Sequence, residues 1–403
     1  MLKPVCTYQL AFEGAWPSAV AFLDSSRRVV AGNQKGELYL WELPETPPEF
    51  VKSEKGGEFK RAAPDVPPTR RLDGHSNAVS RLLYDSARRL LISASYDRTI
   101  KFWSPDESSH GTVEAVLDSE TRQREYKRTK KDDVLNRPGA TVATQAAAHT
   151  LDGHGDWIHC LAASADGSRL VSGDAASQVI VWDVEQRRAL CRWKGHSWNW
   201  IIAAALAPDG RSAAASEYRY KRDDFDIPAA ALKVWSVVDG GDGVEKLDIL
   251  KVQFPKLNPQ DSSYGGGQVW RKFVAQGLAA IAYSPDGRLI AAAQGGETDT
   301  GKVHLLEAHT GKLIRDVSGH QYGVTDVVFS RDGKLLFSAG RDTCVRVCQV
   351  EDGQEVAVLG APRGGQFKDW IAAIALSPEG THLAAADIAG QVAIWQLTSG
   401  ETR

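Results

Sequence analysis

Residues 151–183 read LDGHGDWIHCLAASADGSRLVSGDAASQVIVWD, and this stretch decides the fold. It opens on Gly153-His154, turns at Ala165-Asp166-Gly167 and closes on Trp182-Asp183. An Asp-Gly turn between two apolar runs is a hairpin signal, because glycine tolerates the positive φ the turn needs. The stretch therefore predicts three short antiparallel strands, the third ending on the tryptophan.

The same marks recur along the chain. Further turns stand at Pro208-Asp209-Gly210, Pro285-Asp286-Gly287, Arg331-Asp332-Gly333 and Pro378-Glu379-Gly380. Gly-His pairs stand at Gly74-His75, Gly195-His196 and Gly319-His320, and a Trp closes a third strand at Trp41, Trp103, Trp235 and Trp395. His75 to Trp103 is 28 residues, as is His154 to Trp182. The same count leads from His320 to Cys348, back from Trp395 to Phe367 and back from Trp41 to Glu13, so those units have lost one mark. The unit around 278–306 keeps neither, with Leu306 at the Trp position. A repeat of roughly 40 residues with these signals reads as a propeller blade.

The Gly-His pair, the Asp-Gly turn and the literal Trp182-Asp183 resemble the WD-repeat β-propeller family over nearly the whole chain. The resemblance implies an all-β fold, a single domain over residues 1–403 and seven four-stranded antiparallel blades. First strands are expected near residues 17, 79, 158, 201, 278, 324 and 371. The last unit ends at Trp395-Gln396-Leu397 without room for a fourth strand. The run Val5 to Phe12, which has no first-strand partner upstream, is expected to supply that outer strand and close the last blade. Ala- and Arg-rich runs with a single Met suggest a bacterial member.

Composition sets further bounds. With 403 residues, 42% hydrophobic and 25% charged, the chain can bury a large core and reads as soluble. A net charge of −3 argues against bulk nucleic-acid binding, which is left as a minor option through residues 121–131 or Tyr218–Arg222. Five cysteines without a regular framework point to a reducing compartment. Cys344 and Cys348 share one strand face but lie too far apart to bond. No run of about 18 apolar residues is present to span a membrane, and Met1-Leu2-Lys3-Pro4 lacks the apolar core of a signal peptide. A cytoplasmic location is expected.

First-strand starts are 43, 46 and 47 residues apart in compact units and 62, 77 and 79 apart elsewhere. The excess falls in four insertions. Residues 44–68, rich in proline, and residues 104–148, with a basic run from Arg122 to Lys131, follow third strands. The resemblance places them on the bottom face. Residues 217–229 and 255–276 fall in loops that the resemblance places on the top face, where binding residues concentrate on a rigid scaffold.

His75, Ser93 and Asp97 have the residue types of a hydrolase triad. The resemblance instead makes them a structural tetrad with Trp103, repeated at His320, Ser338 and Asp342 with Cys348 in the Trp place. Ala31, Ala176 and Ala385 stand at tetrad positions elsewhere and leave those sets incomplete. No nucleophile elbow, metal-ligand spacing or phosphate-cradling loop is present in the sequence. No enzyme activity, no metal and no cofactor are expected.

Trp16, Trp157, Trp200 and Trp370 fall at one repeat position, just before a first strand, where the other units carry Ala78, Gly277 and Gly323. Asp156, Asn199 and Asp369 precede three of them, and Tyr322 precedes Gly323. These indoles could simply pack on neighbouring loops. As an interface, indole faces beside carboxylates suit Lys or Arg through cation–π attraction of about 0.5–2 kcal/mol. The candidate partner-binding set is Trp16, Trp157, Trp200, Trp370, Asp156, Asp369 and Tyr322, joined by Tyr218, Tyr220 and Trp270 from the top insertions. The expected function is a non-catalytic scaffold binding a Lys/Arg-bearing peptide or partner loop, with a monomer as the default state. The alternative is a reader of a small cationic or methylated-lysine ligand through the same Trp cage.

Overall fold

The computed structural model describes residues 2–12, 16–47, 50–52, 60–62, 66–107, 111–115, 126–131, 140–194, 199–219, 230–237, 244–252, 277–295, 301–361, 367 and 369–399. The fold class is the expected one, an all-β seven-bladed β-propeller. First strands run Pro17–Phe22, Val79–Asp85, Ile158–Ala163, Asn199–Leu206, Leu278–Tyr283, Val324–Phe329 and Ile371–Leu376, and define blades 1 to 7. Blade 4 alone starts two residues early, because its first hairpin is longer and pairs Asn199 with Arg219.

Contacts divide the chain into two compact units, Met1–Thr150 with Gly360–Arg403, and Leu151–Leu359. In the first, blade 7 is completed by the N-terminal strand Leu2–Ala11, which runs antiparallel to Gln391–Ser399 from Leu2↔Ser399 to Ala11↔Gln391. Tyr8, Leu10 and Phe12 carry this strand into a core shared by blades 7 and 1, with Phe22, Trp41 and Ile394. A second core between blades 1 and 2 holds Leu23, Leu38, Leu72, Val79 and Trp103. In the second unit, Val181, Trp193, Ile201 and Trp235 fill the space between blades 3 and 4. Similar cores follow between blades 4 and 5 and between blades 5 and 6.

The second strands are the most buried elements. Arg169–Asp174, Leu335–Gly340 and His382–Asp387 bury every residue after the first. Each lies central in its own sheet and is covered by neighbours, so it reads as a continuous run of small or apolar residues rather than an alternation. The Asp-Gly turns join first to second strands as expected. Gly167, Gly210, Gly287, Gly333 and Gly380 all take φ between 67° and 72°. In three of these turns a serine two residues before the aspartate donates its hydroxyl to the carboxylate, as Ser164 does to Asp166 at 2.6 Å.

Six of the blades have the expected four strands, and blade 1 has six. Insertion 104–148 contributes strands Gly111–Ala115 and Ala140–Ala146, and the latter pairs in parallel with Arg70–Asp73, the outer strand of blade 1. Arg70 clamps it: Nη1 donates to the side chain of Gln145 at 2.7 Å and to the carbonyls of Pro105 and Glu107 at 2.8 Å. Gln145 is 1% exposed and in turn donates to the Ser104 carbonyl. Insertion 44–68 carries a separate hairpin, Phe50–Lys52 with Lys60–Ala62. Of the insertions expected on the top face, 255–276 lies outside the described residues, and 217–229 is described only to Arg219.

None of the five cysteines is in a disulfide, and Cys344 and Cys348 are both buried. Burial pushes the Cys6 and Cys344 thiols up to about 12, so neither is a ready nucleophile. Among the described residues no helix is long and apolar enough to cross a membrane, and no group of His, Cys, Asp or Glu is arranged to hold a metal.

Candidate partner-binding rim

One backbone hydrogen bond marks the tryptophan position. The carbonyl of Trp16 accepts from Gln34 N–H, that of Ala78 from Tyr96, that of Trp157 from Ala175, that of Gly323 from Arg341 and that of Trp370 from Ile388, all at 2.9–3.1 Å. Trp200 is the exception. It lies within the longer first strand of blade 4, opposite Tyr218.

A second shared feature was not legible beforehand. The register of every first strand slips just after its start, between Pro17/Ala19, Val79/Arg81, Ile158/Cys160, Ile201/Ala203, Leu278/Ala280, Val324/Asp326 and Ile371/Ala373. Each slip is a β-bulge, which bends the strand and re-aims a side chain. The bulged residue of blade 3 is His159, and its ring stacks on Trp200 at 5.9 Å and 25°.

The four tryptophans are thus not equivalent. Trp16 is 54% exposed and Trp157 44% exposed, whereas Trp200 and Trp370 are half-buried. In the first unit Trp16 and Trp370 introduce the adjacent first strands of blades 1 and 7. In the second unit Trp157 introduces blade 3, and Trp200 lies on the histidine of that same strand. The aspartates have a local role: Asp156 Oδ1 accepts from Trp157 N–H and Asp369 Oδ1 from Trp370 N–H, each at 2.8 Å. Asn77 does the same for Ala78, where no tryptophan follows, so the cap belongs first to the turn. Tyr322 is half-buried before Gly323. Tyr218 is placed by its backbone, while Tyr220 and Trp270 lie outside the described residues.

The His–Ser–Asp sets are interior networks. In blade 2, Trp103 Nε1–H donates to Ser93 Oγ at 2.8 Å, Ser93 lies 2.7 Å from His75 Nε2, and His75 Nδ1 lies 2.7 Å from Asp97 Oδ2. With the proton on Nδ1, every donor in this series has an acceptor. Ser93 is fully buried, so no substrate carbonyl can reach its hydroxyl. Blade 6 repeats the set with His320, Ser338 and Asp342.

Blade 3 corrects a sequence expectation. Ala176 stands where Asp97 stands in blade 2, yet the set is complete, because Asp174 takes the role from two residues earlier. Its Oδ2 lies 2.8 Å from His154 Nδ1, while Ser172 bridges His154 and Trp182 at 2.6 and 2.7 Å. Asp174 Oδ1 also accepts from the N–H groups of Ala176 and Gln178. In blade 2 that work is divided between Ser95 and Asp97. Blade 7 keeps the shape without the polarity: Phe367 lies 6.1 Å from Trp395, as His75 lies 6.0 Å from Trp103. With Ala31 and Ala385 in the serine place, Trp41 Nε1 and Trp395 Nε1 are buried without an acceptor among the described residues.

The blade 2 network is acid-labile. Burial lowers the His75 pKa from 6.5, against the pull of Asp97. Burial opposes ionisation of Asp97, but hydrogen bonds from His75, Thr99 and Ser76 N–H prevail and hold its carboxyl well below the usual range. Below pH about 6.5 the unfolded chain binds a proton that folded His75 resists, and below about 3.8 the same holds for Asp97. Stability should therefore fall with pH in both windows. In urea titrations the pH 6.5–5 slope should be shallower for a His75→Phe/Ser93→Ala variant, which copies blade 7. An unchanged slope would remove His75 as its source.

Residues 67–104, 146–183 and 311–348 match the family model described as WD domain, G-beta repeat. Each segment spans one of the three His–Ser–Asp networks. This chain carries WD repeats. The meiotic recombination protein rec14 of Schizosaccharomyces pombe is 28% identical over 269 residues, covering 66% of this chain and 64% of that protein. The nuclear distribution protein PAC1-1 of Uncinocarpus reesii is 23% identical over 79% of this chain and 59% of its own length. The WD repeat and SOCS box-containing protein 1 of Homo sapiens is 33% identical over 25% of this chain and 23% of its own. The chain thus spans less than two thirds of each of these relatives. All three are eukaryotic proteins and do not bear on the bacterial origin suggested by composition. Blades 1, 4, 5 and 7 lie outside the matched segments.

Proposed function

We propose that this chain is a non-catalytic protein-interaction scaffold whose partner, a Lys- or Arg-bearing peptide or loop, binds at the tryptophan-marked starts of the first strands. WD-repeat propellers generally mediate protein–protein interactions, and fold alone does not place the site. The observation that carries the placement is the exposure of Trp16 and Trp157 at one hydrogen-bonded position, each immediately before a bulge. A buried indole would need no further account. An indole left about half in water on a rigid strand start is a typical interface anchor. The second carboxylate oxygens of Asp156 and Asp369, beyond those capping the turn, supply the preference for a cation.

The test is a pull-down from source-cell lysate comparing wild type with Trp16→Ala/Trp157→Ala, read by mass spectrometry. Trp200 is left intact because its ring is engaged by His159. Loss of a partner from a variant with an unchanged melting temperature is the expected result. Equal recovery of every partner would reduce both indoles to surface packing.

A further inference from the structure

A cleft of about 340 Å³ opens between blades 4 and 5, at the end of their first strands opposite the tryptophan position. Pro208 and Val234 of blade 4 and Ala308 of blade 5 give it apolar walls, and Tyr283 lines it from the first strand of blade 5. Asp209 and Asp286, from the tips of two successive Asp-Gly turns, stand at its margin with His309. A space of this size admits a long side chain.

Its polar groups are incompletely used. The Tyr283 hydroxyl is shielded from solvent and has no hydrogen-bond partner among the described residues. Such a group costs about 1–3 kcal/mol while unpaired. Burial, then the charge of Asp209, push its pKa well up, so it is a neutral phenol able to donate or accept. Asp209 Oδ1 accepts from Arg211 N–H at 2.9 Å within its turn. Asp286 Oδ1 accepts from the Ser284 hydroxyl and from Arg288 N–H, and its carboxyl is held below the usual range by them. The opposing cations are weakly placed. Arg288 Nε is 3.8 Å from Asp286 with both side chains mostly exposed, and His309 is 3.7 Å from Glu307. Pairs of that kind contribute little.

We propose that this cleft receives an arginine side chain of a partner, its methylenes along Pro208, Val234 and Ala308 and its guanidinium against the Asp209 and Asp286 carboxylates. A planar fork with five N–H donors can serve two carboxylates at once, which a compact ammonium does less well. The site is independent of the tryptophan rim, since it lies at the other end of the strands.

Saturation-transfer NMR with N-acetyl-arginine methylamide tests it on the full chain, with the lysine and norleucine analogues as comparison probes. The arginine probe should saturate, the lysine probe should bind more weakly, and the norleucine probe should not bind. Asp209→Asn/Asp286→Asn should weaken the arginine probe about tenfold or more, the loss expected for charge-assisted hydrogen bonds. Tyr283→Phe deletes only a hydroxyl that solvent does not reach, keeps the fold and should leave the binding of the arginine probe unchanged. A flat arginine titration, equal binding of norleucine, or full binding by the double Asn variant would overturn the proposal.

Discussion

Asp174→Ala should cost about 3 kcal/mol or more of stability, because each buried donor left without its acceptor costs about 1–3 kcal/mol. Asp174 is fully buried beside His154, whose side chain is 1% exposed. The substitution would leave the His154 Nδ1–H without its acceptor and strip the turn N–H groups of Ala176 and Gln178 of theirs. One carboxylate here serves three donors, so the loss is not shared. Asp97→Ala in blade 2 should cost less, because the Asp97 side chain is 7% rather than 0% exposed and water can reach donors such as the exposed Ser76 N–H that it leaves behind. Urea denaturation of both variants, followed by tryptophan fluorescence, checks the order. A loss under about 1 kcal/mol for Asp174→Ala, typical of an ordinary single hydrogen bond, would show that the carboxylate is dispensable.

Removal of residues 1–12 should abolish stable folding of blade 7. Leu10, Phe12 and Tyr8 are 0%, 3% and 5% exposed, and burying each such side chain contributes about 1.5–3 kcal/mol. Their combined loss is comparable to the whole stability of an ordinary domain, about 5–15 kcal/mol. Deletion also uncovers the edge of Gln391–Ser399 along its full length, and a bare edge invites pairing with another chain. The expected result is aggregation or a melting temperature lower by more than about 10 °C. A synthetic peptide of residues 1–12 added in trans should recover part of it. A soluble truncated monomer with an unchanged melting temperature would refute the closure role.

The first strands fell where the turn and Trp marks put them, six at the expected residue, because their signals are local. Asp-Gly needs only its own backbone, and a 28-residue spacing needs only strands of constant length. Asp174 escaped the sequence because the role can be filled from either of two positions that reach the same histidine, and the repeat register points to only one. The extra strands of blade 1 escaped because parallel pairing of Ala140–Ala146 with Arg70–Asp73 is non-local and carries no turn signature. The rim was half legible. The repeat showed four tryptophans at one position, but their exposure depends on what lies beside them, and His159 is brought against Trp200 by a bulge that no residue type announces.

The sequence by itself determined the all-β class, the seven repeats, the strand order within each blade and the N-terminal strand as the closing element. Periodicity and turn chemistry carry that information residue by residue. Only the tertiary structure decided which histidines have a carboxylate, which indoles lack an acceptor and which tryptophans stand in water. Those outcomes depend on side chains from different strands meeting at hydrogen-bond or ring-contact distance, which bulges and strand additions set and one-dimensional spacing does not record.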